Sequence, residues 1–311
     1  MPSPIAKNHS PWPRRLALAA TFLSIPATVW SAAAAQQQTF ASPEAGIEAL
    51  VQAVKTNDQV ALHAMLGPDS SALISSGDSI EDAHSRKIFL HVYGVAHKVV
   101  HQDDTHAVLV IGRAKRLMPI PLVKQSNGWC FDTARGEAQI IQHRIDHNEE
   151  NAMQTVLAIV YAERQYAADH PHFDGSPVYT AKFRSSPGLH DGLYWPAKAN
   201  VSPSLLGVML SNAVIEGYPP PGASNVKPYQ GYLYRITPDW ADSGIDSHGA
   251  IEGFTVVAYP AHYGVSGTKT FFVHVDGVVY GKDLGVSTTA TVFGMQHFSP
   301  SSGWQISRPV D

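Results

Sequence analysis

The chain holds a single cysteine, Cys130, in 311 residues. An intrachain disulfide is thereby excluded, and so is a lipidated cysteine following an export signal. Flanked by Trp129 and Phe131 in a stretch that reads as a strand, Cys130 is expected to be a small buried side chain rather than a reactive thiol. Charge is scarce as well: Asp, Glu, Lys and Arg make up 15% of the residues and the formal net charge is −4, which leaves no basic footprint for nucleic acid. Beyond the amino terminus no apolar run approaches the roughly 20 residues that a membrane-spanning helix needs. No group of residues stands out as a catalytic constellation. Catalytic residues are left unassigned, and neither a cofactor nor a metal is expected.

Residues 1–35 read as an export signal. Lys7, Arg14 and Arg15 form a positive head, residues 16–29 an apolar middle interrupted by Pro26, and Ala33, Ala34 and Ala35 the small residues that a signal peptidase requires before Gln36. The apolar part is too short to span a bilayer. Arg14-Arg15 leaves a twin-arginine route open, but its poorly matched neighbours favour the general secretory one. Removal takes away three positive charges and no acids and moves the formal charge from −4 to −7. The mature chain is therefore expected in the periplasm or outside the cell, with no stable membrane span after processing.

The remaining residues read as α+β in two parts: a small domain of helices followed by an antiparallel meander at 36–140, and a long helix packed on a C-terminal antiparallel sheet at 141–311. Ser42 and Pro43 start a helix carrying Ile47, Leu50, Val51 and Val54 on one stripe. Asp58 caps a short helix through Leu66 that Gly67-Pro68 ends, and a third helix spans about 80–93. Strands are expected at 98–102, 105–111, 120–125 and 129–132, with turns at Asp103-Asp104 and Asn127-Gly128. This order is similar to small cone-shaped folds of the nuclear-transport-factor type.

From about 136 to 169 the period becomes helical, with Met153, Val156, Leu157 and Val160 as an apolar stripe extended by Tyr161 and Tyr166, while Glu149, Glu150, Glu163 and Arg164 are expected in water. Asn148 is a point where this helix is open to interruption or re-capping. Turn-rich sequence follows, with a short helix at 205–213 and a stiff proline loop at 219–222. Residues 231–237 form a strand with Tyr232, Tyr234 and Ile236 on one face. An irregular acidic loop at 239–249 leads to the last sheet, expected to be buried on one side. There 253–259 puts Phe254, Val256 and Ala258 on one face, and 269–275 puts Phe271, Val273 and Val275 on one face. Asp276-Gly277 is predicted to make a two-residue hairpin pairing Val275 with Val278 and Val273 with Tyr280.

Seven phrases carry a family resemblance: SGD at 76–78, MPIPLVK at 118–124, GWCFDT at 128–133, HNE at 147–149, GLYWP at 192–196, YQGYLYRI at 229–236, and AYPAHYGVSGTKTFFV followed by GVVYGKDLG. With them the chain resembles an uncharacterised family of bacterial exported proteins, domain-of-unknown-function family 2950. The resemblance implies export and assigns no activity. Two stretches depart from the family pattern: His143-Arg144-Ile145-Asp146-His147 stands where an arginine-rich run is usual, and the loop at 239–248 lacks a glycine-rich pattern. Residues 148–285 are also similar, on a smaller set of features, to the globular part of type IV pilins and pseudopilins, without the membrane-embedded half of their helix.

Four groups are candidates for chemistry. His143, His147 and Glu150 share the spacing of one helical face and suit a transition metal, or are a solvated face. Ser266 and Lys269 have the S-x-x-K spacing of penicillin-interacting enzymes, but in a turn between strands rather than at a helix start. Glu252, Asp276, Lys282 and Asp283 stand at strand ends, where they line a cleft for paired-carboxylate hydrolysis or are simply solvated. Tyr194, Trp195, Tyr218, Tyr229, Tyr232 and Tyr234 make either an aromatic surface for a protein or glycan partner or core packing. The sequence thus reads as an exported, non-catalytic binding or assembly protein, with an envelope hydrolase acting on a cell-wall or extracellular substrate as the alternative.

Overall fold

Helix α1 (Pro43–Thr56) begins where its residues dictate. The Ser42 hydroxyl accepts the Ala45 N–H, Pro43 occupies the first turn, and Asn57 ends the helix in the left-handed region at φ 55°. Asp58 caps α2 (Gln59–Leu66) through the Ala61 N–H at 2.9 Å. A single turn, α3 (Ser71–Ile74), and then α4 (Ser79–Val95) follow; the Asp78 carboxylate accepts the N–H groups of Ile80 and Glu81 at the start of α4. The structure, a computed structural model, describes residues 37–196, 204–207, 209, 227–239, 250–295, 297–300 and 303–309. The export signal, most of the helix expected at 205–213, the proline loop at 219–222 and the acidic loop after residue 239 lie outside the described residues, as does Tyr218.

Strands β1 (His97–His101), β2 (His106–Ile111), β3 (Arg116–Leu117), β4 (Leu122–Gln125) and β5 (Gly128–Phe131) form an antiparallel sheet in the order β1-β2-β4-β5, with β3 paired to β2. The first turn closes on Asp103, whose carboxylate accepts the N–H groups of Thr105 and His106 at 2.7 and 2.8 Å. Hydrogen bonds from Thr105 and His106 hold this carboxyl well below the usual carboxylate range. The next hairpin pairs Gln125 with Gly128, so its two-residue turn is Ser126-Asn127, one position earlier than the sequence suggests. Ile47, Leu62, Met65, Leu109, Leu122 and Phe131 form the core between this sheet and the first helices. Cys130 is buried, and burial pushes its thiol pKa up.

Helix α5 (Thr133–Asp169) runs uninterrupted for 37 residues. It is not broken at Asn148, because that side chain leaves the helix and donates to the Ser266 carbonyl at 2.9 Å instead of capping its own backbone. Two of the residues expected in water are buried: Glu149 and Glu163 are 6% and 0% exposed. Tyr161, expected to extend the apolar stripe, is 64% exposed. The stripe itself packs as predicted, with Met153, Val156 and Val160 buried in the core. The residue-140 boundary suggested by the sequence falls inside this helix.

A two-stranded ribbon, β6 (Tyr179–Thr180) with β8 (Ala250–Ile251), lies beside the main C-terminal sheet. That sheet runs in the order β12-β11-β10-β9-β7, all antiparallel: β7 (Tyr232–Pro238), β9 (Phe254–Pro260), β10 (Lys269–His274), β11 (Val279–Asp283) and β12 (Gln305–Ile306). Its first face, with Tyr232, Ile236, Phe254, Val256, Phe271 and Val273, packs on α5. The alternation read from the sequence places these correctly. The opposite face is not open to water: Val257, Tyr259 and Phe272 form a second core with Val292, Phe298 and Trp304, so every residue of β9 is buried. Val292 belongs to α6 (Thr288–Gly294), and the sequence reading missed this cover because its few apolar residues are spread over a turn-rich tail.

The hairpin between β10 and β11 also differs. Val273 pairs with Val279, and Phe272 rather than Val273 lies opposite Tyr280, so Tyr280 stacks on Phe272 on the far face with the rings 5.0 Å apart. Only Gly277 has a positive φ, at 80°; its N–H closes a four-residue turn onto the His274 carbonyl, and the Asp276 carboxylate accepts the Val278 N–H. A longer turn than the predicted two residues moves the register by one and sends Val275 into solvent.

Candidate functional site

Four of the family phrases, SGD, HNE, YQGYLYRI and AYPAHYGVSGTKTFFV, meet at one junction. Asp78, which starts α4 with one carboxylate oxygen, accepts the Gly231 N–H with the other at 3.2 Å. Gly231 sits at φ 77°, and a Cβ there would lie 2.4 Å from the Asn148 amide nitrogen, so the position requires glycine on both counts. One residue along α5 from Asn148, Glu149 Oε1 accepts the Thr268 N–H, the Thr268 hydroxyl and the Lys269 N–H at 3.1, 2.8 and 3.1 Å, while its Oε2 lies 3.1 Å from Lys269 Nζ. Ser266 donates its hydroxyl to the His262 carbonyl and accepts the His262 N–H. These bonds fix the amino end of α4 and the middle of α5 against β7 and β10.

Against this junction lies a pocket of about 660 Å³. Its apolar walls come from α1 and α2 (Ile47, Leu50, Val54, Leu62, Leu66), from the meander (Leu109, Met118, Ile120, Phe131) and from α4 (Ile80, Ile88, Phe89). Ser76, Asn148 and Gln230 bring the family phrases to its wall, and His84, Arg86, His143, Arg144 and His147 line it as well. The lining over α4 is not closed: this 17-residue helix has no buried residue, although Ile80, Ile88, Phe89 and Val92 fall on one side of it. An amphipathic helix normally buries such a stripe; here Phe89 and Val92 pack partly on the core, while Ile88, which lines the pocket, is 50% exposed.

Polar groups around the pocket are unequally engaged. Arg144 donates to the Ala72 and Leu73 carbonyls at 2.7 and 3.0 Å; burial lowers its pKa, an effect opposed by Asp82 and Glu81 nearby. Asp82 accepts the Ser75 hydroxyl and the Ser76 N–H, and Glu81 accepts the Ser85 hydroxyl. His147 bonds to Asn151.

The candidate groups of the sequence reading separate. His143 and His147 do line the pocket, but Glu150 accepts from Gln154, and among the described residues no set of three His, Cys, Asp or Glu could hold a metal ion. Ser266 and Lys269 are turned to different partners, His262 and Glu149. Lys282 and Asp283 lie at the Lys269 end of the β10–β11 pairing, whereas Asp276 is in the turn at the other end, and Glu252 precedes β9 at that same far end. The four therefore do not line one cleft. Of the aromatic group, Tyr232 is fully buried and donates to the Lys269 carbonyl, Tyr234 packs on the core of α5 and stands 6.4 Å from Tyr229, and Trp195 stacks on His190. Tyr232 thus belongs to the core, whereas Tyr194, Trp195, Tyr229 and Tyr234 are half-buried.

An Asp–His pair is present but is closed off. His274 Nδ1 faces Asp239 Oδ1 at 3.0 Å and Thr255 Oγ1 at 2.8 Å, and Nε2 donates to the Phe298 carbonyl at 3.1 Å. The Asp239 hydrogen bond raises the imidazole pKa and outweighs burial. Both ring nitrogens are thus engaged, and the ring ties strand to tail.

Fold and site define an α+β protein in which a ligand-sized apolar pocket lies beside a polar junction. The chain belongs to the family described as "Protein of unknown function (DUF2950)", whose model matches residues 37–306. No curated protein and no solved structure matches it. Among the described residues no helix is long and apolar enough to cross a membrane.

Proposed function

We propose that this chain is an exported bacterial protein, periplasmic or secreted, that works by binding an apolar small molecule in the pocket beneath α4 and carries out no chemistry on it. The observation that supports this reading is the pocket's size and lining. About 660 Å³ lies open here against aliphatic and aromatic walls, with polar side chains gathered along part of its lining. Ligand pockets fall in the range of about 300–1,000 Å³ and are mainly apolar with a few polar groups. The acids beside it are engaged by serine hydroxyls and backbone N–H groups, and the carboxylates that an envelope hydrolase would use are divided between two ends of a sheet. Export is supported by the composition of residues 1–35.

An environment-sensitive apolar dye tests this reading. The full chain is expected to bind one equivalent with a rise in fluorescence, and Ile88→Trp, which places a large ring over the pocket from a half-exposed position, is expected to lower affinity about tenfold or more with little change in stability, as surface substitutions usually do. Dye binding that ignores Ile88→Trp would place the ligand elsewhere.

A further inference from the structure

The pocket's ends differ in chemistry, and that difference names a class of ligand; the step rests on the binding reading above. The deep wall is hydrocarbon: Leu50, Val54, Leu62, Leu66 and Leu109. Around the rest, five basic side chains face two acids. Both acids already accept hydrogen bonds from the chain, Asp82 from Ser75 and Ser76, and Glu81 from Ser85. Among the basic groups the situation is reversed. Arg144 is held by two backbone carbonyls and makes no ion pair within 4 Å among the described residues, and Arg86, His84 and His143 have no hydrogen-bond or ion-pair partner among them. The one permanent charge at this end with no partner among the described residues is therefore the half-buried Arg86 guanidinium, with the exposed His84 and His143 imidazoles beside it. An anionic group there gains charge-assisted hydrogen bonds, of which a guanidinium can make two in parallel to one carboxylate or phosphate.

We infer that the ligand is a free, single-chain amphiphile with an anionic head: its hydrocarbon tail lies between α1, α2 and the meander, and its head meets Arg86 and His143 where α4 and α5 face each other. A cationic head offers those donors no acceptor, and a neutral hydroxyl offers a single uncharged one. The polar end is set by the same elements that Asp78 and Asn148 lock to the C-terminal half, so head-group recognition and the family junction share one framework.

Binding of monomeric dodecanoate, dodecanol and dodecylamine to the full chain, measured calorimetrically, tests this directly. Dodecanoate is expected to bind about tenfold or more tighter than dodecanol, with dodecylamine weakest. In the double variant Arg86→Gln, His143→Gln the advantage of dodecanoate over dodecanol is expected to vanish. Vesicles of anionic phospholipid, free of single-chain amphiphile, are expected not to retain the protein. Equal affinities for the acid and the alcohol, tighter binding of the amine, or retention by vesicles alone would overturn the head-group inference and leave the pocket reading standing. Failure of all three amphiphiles to bind, or binding indifferent to Ile88→Trp, would instead remove the pocket reading on which it rests.

Discussion

Glu149→Ala is expected to destabilise the protein by about 2 kcal/mol or more, because it removes one acceptor shared by two part-buried backbone N–H groups and a hydroxyl. One carboxylate oxygen serves two backbone N–H groups and a hydroxyl at the start of β10, and the residue is only 6% exposed. Removing it takes a partner from the part-buried Thr268 and Lys269 N–H groups, at about 1 kcal/mol each. The Lys269 ammonium adds little, since its side chain is 52% exposed and an exposed ion pair is worth at most about 1 kcal/mol. Glu149→Gln separates these contributions: the amide keeps an acceptor oxygen for the N–H groups and loses only the charge, so about 1 kcal/mol is expected. Urea denaturation of the three proteins measures both numbers. Equal losses in Ala and Gln would assign the effect to charge, and a loss below about 1 kcal/mol in Glu149→Ala would show the site to be solvated.

Glu163→Gln is expected to stabilise the protein, and increasingly so as the pH rises. Glu163 is fully buried among apolar residues; one oxygen accepts the Thr180 N–H at 3.1 Å and the other has no partner among the described residues. Burial pushes its pKa from 4.5 up to about 8, against the smaller downward effect of the Thr180 hydrogen bond. Between these values the folded chain keeps a proton that the unfolded chain has released, so this group's contribution to stability falls as pH increases from about 4.5 to about 8 and is constant beyond. Glutamine has nothing to ionise. The variant and the parent should thus be nearly equal in stability at pH 5, and the variant ahead by about 3 kcal/mol at pH 8. Parallel pH dependences in the two proteins would mean that Glu163 is ionised in the fold and has a partner or water that screens it.

These two acids also mark the limit of what was legible beforehand. Period and capping residues announce α1, α2, α4, the meander and the inward face of β7, β9 and β10, because local propensity and tertiary burial there agree. Glu149 and Glu163 read as solvent-facing since carboxylates are seldom buried, and the partners that bury them, Thr268 and Thr180, are 119 and 17 residues away. The second face of β9 was hidden for a related reason: a strand covered on both sides loses its alternation. The pocket had no local signature at all. Its residues lie on five helices and a sheet, each of which reads as ordinary core stripe, and only the absence of a fully buried residue in α4 distinguishes them. What the sequence did offer was the family phrases, four of which supply the ties of one junction at Asp78, Asn148, Glu149, Gly231 and Ser266.

The most direct test of the account is methyl NMR of the full chain titrated with dodecanoate. Shifts confined to Leu50, Val54, Leu62 and Leu109, with Val256, Val257 and Val273 in the C-terminal sheet unmoved, are the predicted result. Shifts centred on the sheet, or none at saturating amphiphile, would contradict it.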